Sequence, residues 1–542
     1  DEIIRRGGLK VYSTLDARMQ KTAEMAMTNG LRALDKRAGY RGPLYRPNAE
    51  QAKKLKERFQ SFKKQTFIAD NGQNIWDLSG LAPEVLTGDF NQVVDNIRLS
   101  KLRAAKIVGA MVVAVNDQTQ MATIDLGSRM AVLPISLSAF AHVILKDGKR
   151  LLLTKISDAL KPNDIVLVKI HTTDKQPTVS LEQEPDINGG LVALDAKTGG
   201  ALAMVGGYDF ERSPFNRVTQ AKRQLGSGIK PLVYGYAIDR KLATAAKLIP
   251  DMPKVFLDPG TNEFWRPRNH TNEFLGDITF RRCLRSSVNI CTITLLEMIG
   301  IDNFLQLAKD VELNTPYTPY PRNLTIALGS AENYPIDAAN AMRIFANHGR
   351  YSDYHLINAI RYADGRKEKV FDLQEKQVIS PEAAFVITNI LKEVVEKSRA
   401  KSKLNDVKAE LAGKTGTTNN ARSTWFFGYS PKVLALVYVG YDDNRSIGVD
   451  AWGRTTAKPI WEEFMNGVAV HKEDLRFTVP DNIEWHMVDR ESGRPLSADM
   501  MMEMPSHAIM EAFIAGTVPK IEADANIYRA APKENDEAAF AP

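Results

Sequence analysis

The chain has 542 residues, 44% of them apolar and 25% charged, enough for two to four domains with packed cores and too apolar for a disordered polymer. Its 71 Lys and Arg against 65 Asp and Glu leave a net charge of +6, too mild a bias to demand a nucleic-acid partner. No apolar run approaches the roughly 18 residues that cross a bilayer, and no signal peptide is evident. Because the chain begins at Asp1 rather than Met, the expectation is a mature or engineered fragment whose targeting segment, if one existed, lies upstream.

Residues 9–14, LKVYST, alternate like a strand, and Asp16 is placed to cap a helix from Ala17 to about Lys36. A turn-rich stretch, Gly39 to Pro47, precedes a basic helix with Lys53, Lys54, Lys56, Arg58, Lys63 and Lys64. Its expected role is a solvated face, with an anionic polymer partner as the sharper alternative. Strand signals recur between about Lys106 and Glu184 in KIVGAMVVAV, MATIDLG, AVLPIS and DIVLVKIHTT. They predict a small all-β module compatible with an OB-like barrel. Phe140 is the only Phe, Tyr or Trp between Lys106 and Gln183, whereas single-strand binders stack bases on several aromatic faces. A spacer or protein-docking module is therefore expected, and no nucleic acid.

From Gly189 the texture changes: GGLVALDAKTGGALAMVGG is two apolar runs around a turn, a hairpin signal. A larger α/β region follows, with helices expected near Pro231 to Lys241, Cys291 to Asp310, Pro335 to Asn347 and Pro381 to Val395. FFGYS and VLALVYVGYDD, parted by Pro431 and Lys432, read as an antiparallel pair of central strands. After about Phe477 the chain is irregular and rich in Pro and Glu, which predicts a peripheral segment. Cys283 and Cys291 stand eight apart; on one helix they would be roughly 12 Å from each other, too far for a disulfide. The eight histidines show no ligand spacing, so no metal site or cofactor is expected, and His270 reads as a groove-wall or structural residue.

Chemistry gathers at three short motifs. Gly226-Ser227-Gly228-Ile229-Lys230-Pro231 opens an apolar helix, and three residues is nearly one turn, so Ser227 and Lys230 are expected side by side at a helix N-terminus. A serine needs a base to become a nucleophile, and a lysine serves only with a lowered pKa, which burial or a second cation provides; Lys414 is the candidate second cation. Ser-x-x-Lys recurs at Ser61/Lys64 and Ser398/Lys401 in polar stretches, where it is read as chance. Ser287-Val288-Asn289 is the only Ser-x-Asn; it reads as a helix N-cap or as a functional pair, with Ser287 relaying a proton and Asn289 holding a substrate amide. Lys-Thr-Gly occurs at Lys197 to Gly199, in the hairpin turn, and at Lys414 to Gly416 before Thr417. The second copy reads as an edge strand able to pair with an extended peptide, with Lys414, Thr415 and Thr417 receiving a carboxylate.

The order of Ser-x-x-Lys, Ser-x-Asn and Lys-Thr-Gly, from 227 to 287 to 414, is the motif set shared by penicillin-binding proteins and class A β-lactamases. With RQLGSGIKPLVY at 223–234, FWRPRN at 264–269, GKTGTTNNARSTWFFGY at 413–429 and TTAKPIW at 455–461, the chain resembles a class A penicillin-binding protein of the proteobacterial 1A subtype. The likeness is strong from about Gly189 to Val468, and the piece resembled lacks the membrane anchor and glycosyltransferase domain. Asn420 departs from the Asp often found there.

The resemblance implies an α/β, β-lactamase-like transpeptidase domain at 186–477 with a central antiparallel sheet flanked by helices. It also implies an OB-like insert at 45–185, a linker strand and helix at 1–44, and a peripheral segment at 478–542. It implies a D,D-transpeptidase that crosslinks peptidoglycan stem peptides ending in D-Ala-D-Ala and is acylated by β-lactams. Ser227, Lys230, Ser287 and Lys414 would be catalytic, and Asn289, Thr415, Gly416, Thr417 and Trp265 would hold substrate. The backbone N–H groups of Ser227 and Thr417 would form the oxyanion hole. The implied place is the periplasmic face of the inner membrane, with a regulatory lipoprotein as possible partner. The rivals are a β-lactamase, for which Asp310-Val-Glu-Leu-Asn314 is a partial match to the required carboxylate motif, a D,D-carboxypeptidase hydrolysing the same acyl-enzyme, and a scaffold whose β-module docks a partner.

Overall fold

Asp16 caps the first helix as its position suggests: the N–H groups of Arg18 and Met19 donate to Asp16 Oδ1 at 2.8 and 3.0 Å, opening α1 (Ala17–Arg37). The computed structural model describes residues 8–57, 60, 74–79, 98–138, 140, 141, 143, 144, 150, 151, 153–257, 263–363, 365–468, 473–503 and 505–519. These divide into two compact units, one of residues 31–186 and one of residues 1–30 with 187–542.

In the smaller unit the alternating runs become β1 (Ile107–Asn116), β2 (Met121–Asp125), β3 (Met130–Pro134), β4 (Ile165–Ile170) and β5 (Val179–Glu182), in the order β5-β4-β1-β2-β3. Val132 of β3 bridges Thr178, beside β5, in parallel, so the two edges meet and no open row of backbone donors remains there. Val108, Ala110 and Val112 on one strand and Val166 and Val168 on its neighbour fill the interior, the period-2 side-chain alternation at work. We propose this closed five-stranded sheet as the OB-like module. Residues 49–57 are helical, with Ala52 and Leu55 buried and Lys53, Lys54 and Lys56 exposed, a solvated basic face. Arg58, Lys63 and Lys64 of that run, and Ser61, lie outside the described residues.

The larger unit is built on β6 (Asn188–Asp195), β7 (Ala201–Val205), β8 (Ala412–Thr417), β9 (Ser423–Tyr429) and β10 (Val433–Gly440), ordered β7-β6-β10-β9-β8 and antiparallel throughout. Every residue of β9 and β10 is buried because the sheet is covered on both faces, which is why these strands read as continuous apolar runs. The first Lys-Thr-Gly is a turn: the N–H groups of Lys197 and Thr198 donate to Asp195 Oδ1 at 3.1 and 2.7 Å, and Gly199 has φ +76°. The helices that matter for the site are α2 (Lys230–Asp239), α3 (Phe280–Arg285), α4 (Asn289–Ile299), α5 (Ile301–Asp310), α6 (Pro381–Arg399) and α7 (Ala457–Gly467). Trp461 of α7 packs on Phe426 with ring centroids 4.8 Å apart, and Thr388 of α6 meets the Tyr429 hydroxyl at 3.0 Å.

Three expectations are corrected. The single helix foreseen over Cys291–Asp310 is two, α4 and α5, bent by 94° at Gly300, whose φ of +85° ends a helix as glycine commonly does. Cys283 and Cys291 form a disulfide with Cα atoms 6.0 Å apart. They do not share a helix: Cys283 lies in α3, Cys291 in α4, and the chain reverses between them at Ser287, which has φ +59°. The irregular reading after Phe477 gives way to two seven-residue antiparallel strands, β11 (Ile483–Asp489) and β12 (Ala508–Ile514). Their alternation is disguised by Glu511, which is 1% exposed and points inward to hold Arg281 of α3 through bonds of 2.5 and 2.6 Å. Truncating Arg281 would strand the buried Glu511 carboxylate.

The disulfide is checked by thiol titration of the unfolded chain. No thiol should react before reduction and two should react after it; two reactive thiols without reductant would contradict the pairing.

Candidate active site

Ser227 sits in a 3₁₀ turn, Gly226–Ile229, that runs directly into α2 at Lys230. Pro231 occupies the first helical turn, where a missing N–H costs little. The turn lies against β8 at backbone contact. A Cβ on Gly226 would come within 2.5 Å of the Thr417 carbonyl oxygen, and one on Gly416 within 2.7 Å of the Leu225 carbonyl oxygen, so both positions need glycine. The Ser-x-x-Lys and Lys-Thr-Gly motifs are thereby fixed to each other through main chain.

The third motif enters from the other side. Lys414 Nζ donates to Ser287 Oγ at 2.7 Å and to Thr415 O at 3.0 Å. Lys230 Nζ donates to Ser287 O at 2.5 Å and Asn289 Oδ1 at 2.8 Å, with Ser287 Oγ at 3.4 Å. Two lysines, 0% and 2% exposed, thus converge on one serine. Burial, and after it the charge of Lys414, hold the Lys230 amine well below its ordinary range; burial lowers Lys414 to about 7. Desolvation disfavours the charged form, and a neighbouring like charge adds to it. A neutral amine beside a serine is the equipment for moving a proton on and off a hydroxyl.

Ser287 pays for its position with a left-handed backbone, a conformation worth about 1–3 kcal/mol of strain. It is held by Ser287 N–H to Leu284 O at 3.1 Å and Val288 N–H to Cys283 O at 2.9 Å. The N-cap residue of α4 is Val288, without a side-chain cap, so Ser287 is not the cap. The cap is Asn269, whose Oδ1 accepts from the N–H groups of Asn289 and Ile290 at 3.0 and 3.2 Å. Asn269 is itself buried and donates to both oxygens of Asp251 at 2.7 and 2.9 Å. Asn289 Nδ2 donates to Arg268 O at 2.8 Å. These supports were missed from sequence; FWRPRN contains Arg268 and Asn269, but a cap arriving from 20 residues away leaves no local signal.

The foreseen pairing of Ser227 with Lys230 differs. Ser227 is half-buried, and among the described residues no hydrogen bond joins it to Lys230, whose amine takes the oxygens of Ser287 and Asn289 instead. Asn289 therefore holds Lys230 directly. Alternation along β8 puts Lys414 and Gly416 on one face and Thr415 and Thr417 on the other; Thr417 Oγ1 accepts from Gly453 N–H at 3.1 Å, so the two threonine hydroxyls are not gathered around Lys414. Trp265 pairs with Phe256 across a short ribbon, centroids 5.5 Å apart, and none of its described contacts reaches the lysines. His270 does face the site: it lies edge-on to Trp452 at 4.0 Å and its pKa is lowered by burial, then by Lys230 and Arg454. Among the described residues no group of His, Cys, Asp or Glu is arranged to hold a metal.

Residues 189–466 match the family described as the penicillin binding protein transpeptidase domain. The chain is 30% identical over 494 residues to penicillin-binding protein 1A of Neisseria meningitidis, covering 89% of this chain and 56% of that protein. It is 30% identical over 548 residues to penicillin-binding protein 1A of Rickettsia typhi, covering 96% and 61%. It thus spans a little over half the length of these curated relatives. Among solved structures it is similar in fold to penicillin-binding protein 1A from Haemophilus influenzae, with a TM-score of 0.71 and 24% identity over 96% of this chain and 75% of that one. With more than half of its length matched by that family, and the three motifs meeting at one serine-lysine cluster, the chain belongs to the penicillin-binding protein transpeptidase family.

Proposed function

We propose that this chain is a D,D-transpeptidase: it crosslinks peptidoglycan stem peptides through an acyl-enzyme on Ser227 and is a target of β-lactams. The observation that carries this reading is the convergence of buried Lys230 and Lys414 on Ser287, beside a Ser227 turn locked to β8. A donor peptide ending in D-Ala-D-Ala lies along β8, the edge strand of the sheet, adding its backbone to the ladder. Lys230, neutral, removes the Ser227 proton as Oγ attacks the penultimate D-Ala carbonyl. The N–H groups of Ser227 and Thr417 receive the oxyanion, donors of a kind whose loss costs about 10²- to 10³-fold in rate. Ser287, bonded to Lys414, passes a proton to the departing D-Ala amine. An amine of a second stem peptide then takes the acyl group.

Transfer is favoured over β-lactam hydrolysis by what the rival motif does. Asp310, where the rival's motif begins, accepts from Lys376 Nζ at 2.5 Å, so it is committed to an ion pair away from the lysine cluster. On this reading the chain works at the periplasmic face of the inner membrane, where stem peptides are crosslinked, and the β-module offers a docking surface for a regulatory protein.

Incubation with a penicillin should add one acyl group to Ser227, read by intact mass and peptide mapping, and Ser227→Ala should show none; an adduct surviving in that variant would overturn the assignment. The acid limb of the acylation pH profile reports protonation of Lys230. Because the Lys414 charge lowers the Lys230 pKa, Lys414→Ala should move that limb to higher pH, whatever it does to the maximal rate. An unmoved limb would deny the coupling.

A further inference from the structure

Lys230 and Lys414 are 0% and 2% exposed although they stand beside an edge strand, where a groove must open if a peptide is to pair with β8. Two aromatic side chains meet at that groove, one from each wall. His270 follows Asn269, whose Oδ1 accepts from the N–H groups of Asn289 and Ile290 at 3.0 and 3.2 Å, so it belongs to the wall that holds Lys230 through Asn289. Burial and then the charge of Lys230 lower the His270 pKa, which sets the imidazole within electrostatic range of that amine.

Trp452 belongs to the opposite wall. Its neighbour Gly453 donates its N–H to Thr417 Oγ1 at 3.1 Å, and a Cβ on Gly453 would fall 2.8 Å from the Gly416 carbonyl oxygen. Gly416 in turn faces the nucleophile's turn, where its own Cβ would stand 3.2 Å from Gly228 N. Trp452 is thus carried one residue away from the strand contact that fixes Ser227.

Lys414 leaves one face of β8 toward Ser287, whereas Thr417 leaves the other, where Gly453 packs. His270 and Trp452 approach from those two sides and touch edge-on, with ring centroids 4.0 Å apart and planes at 84°, an arrangement that ring quadrupoles favour. Their contact bridges the groove that an extended peptide would follow along β8. The bridge is lightly held: His270 is exposed, and Trp452 Nε1 is buried with no hydrogen-bond partner among the described residues. An indole N–H kept from water without an acceptor is a cost of the closed position, and it is removed when the ring swings toward solvent or a ligand carbonyl.

Resting on the transpeptidase reading, we propose that His270 and Trp452 form an aromatic gate across the donor groove, and that parting it determines which acyl donors reach Ser227. A compact donor passes beneath the ring pair. A donor with a bulky group on the side that continues along β8 has to separate the rings first. The two residues set specificity and take no part in proton transfer.

The test uses this chain and two penicillins: 6-aminopenicillanic acid, whose amine carries no acyl group, and piperacillin, whose amine carries a large one. The second-order rate constant of Ser227 acylation is measured for each by intact mass, and their ratio is independent of the fraction of chain that is folded. In His270→Ala and in Trp452→Ala the ratio of piperacillin to 6-aminopenicillanic acid should rise about tenfold, the scale of one edge-on aromatic pair. His270→Phe, which restores a ring, should return it toward the value of the unaltered chain. A ratio unchanged or lowered in both alanine variants, or acylation lost in both, overturns the gate. An unaltered chain that neither penicillin acylates overturns the transpeptidase reading instead, a result visible before any variant is made.

Discussion

Two lysine amines are buried against one serine, and the rest of the site is arranged to keep them there. In water each amine would be an ammonium; here desolvation lowers both, and the charge of Lys414 lowers Lys230 further. In linkage terms the unfolded chain binds more protons than the folded one between about pH 7, where Lys414 titrates in the fold, and about 10.4, its unfolded value. The pair's contribution to stability therefore rises with pH across that window and is at its least favourable below it. The fold tolerates this cost because it produces a base that is neutral near physiological pH.

Holding such a pair requires rigid surroundings on every side. The Ser227 turn and β8 touch through glycine-dependent backbone contacts. The Ser287 reversal is clamped between α3 and α4 by the Cys283–Cys291 disulfide. Below it, α3 is anchored by Arg281 to Glu511 of the carboxyl-terminal hairpin, and α4 starts on Asn269, which is fixed by Asp251. Ser287 keeps its left-handed backbone because these neighbours over-determine it.

Much of this was legible in the chain itself. The burial of β9 and β10 showed as two apolar runs parted by Pro431 and Lys432, and the edge position of β8 followed from its place before them. The second lysine drew notice because burial or a neighbouring cation can lower a lysine's pKa, and in the fold burial leads at Lys230 with the Lys414 charge behind it. What stayed hidden was non-local. The disulfide was missed because a helical rise was assumed across a reversal that only Ser287's dihedral reveals. The break between α4 and α5 rests on one glycine, the cap of α4 comes from another segment, and the inward Glu511 masks the strand period of β12.

The account stands on the two lowered lysines, and the most direct measurement is an NMR titration of their ε-carbons in the folded chain, assigned by single substitution. It predicts that Lys414 titrates near pH 7 and Lys230 far below the ordinary lysine range, with Lys230 moving up when Lys414 is replaced. Two lysines titrating at about 10.4, the value of a solvated amine, would contradict it.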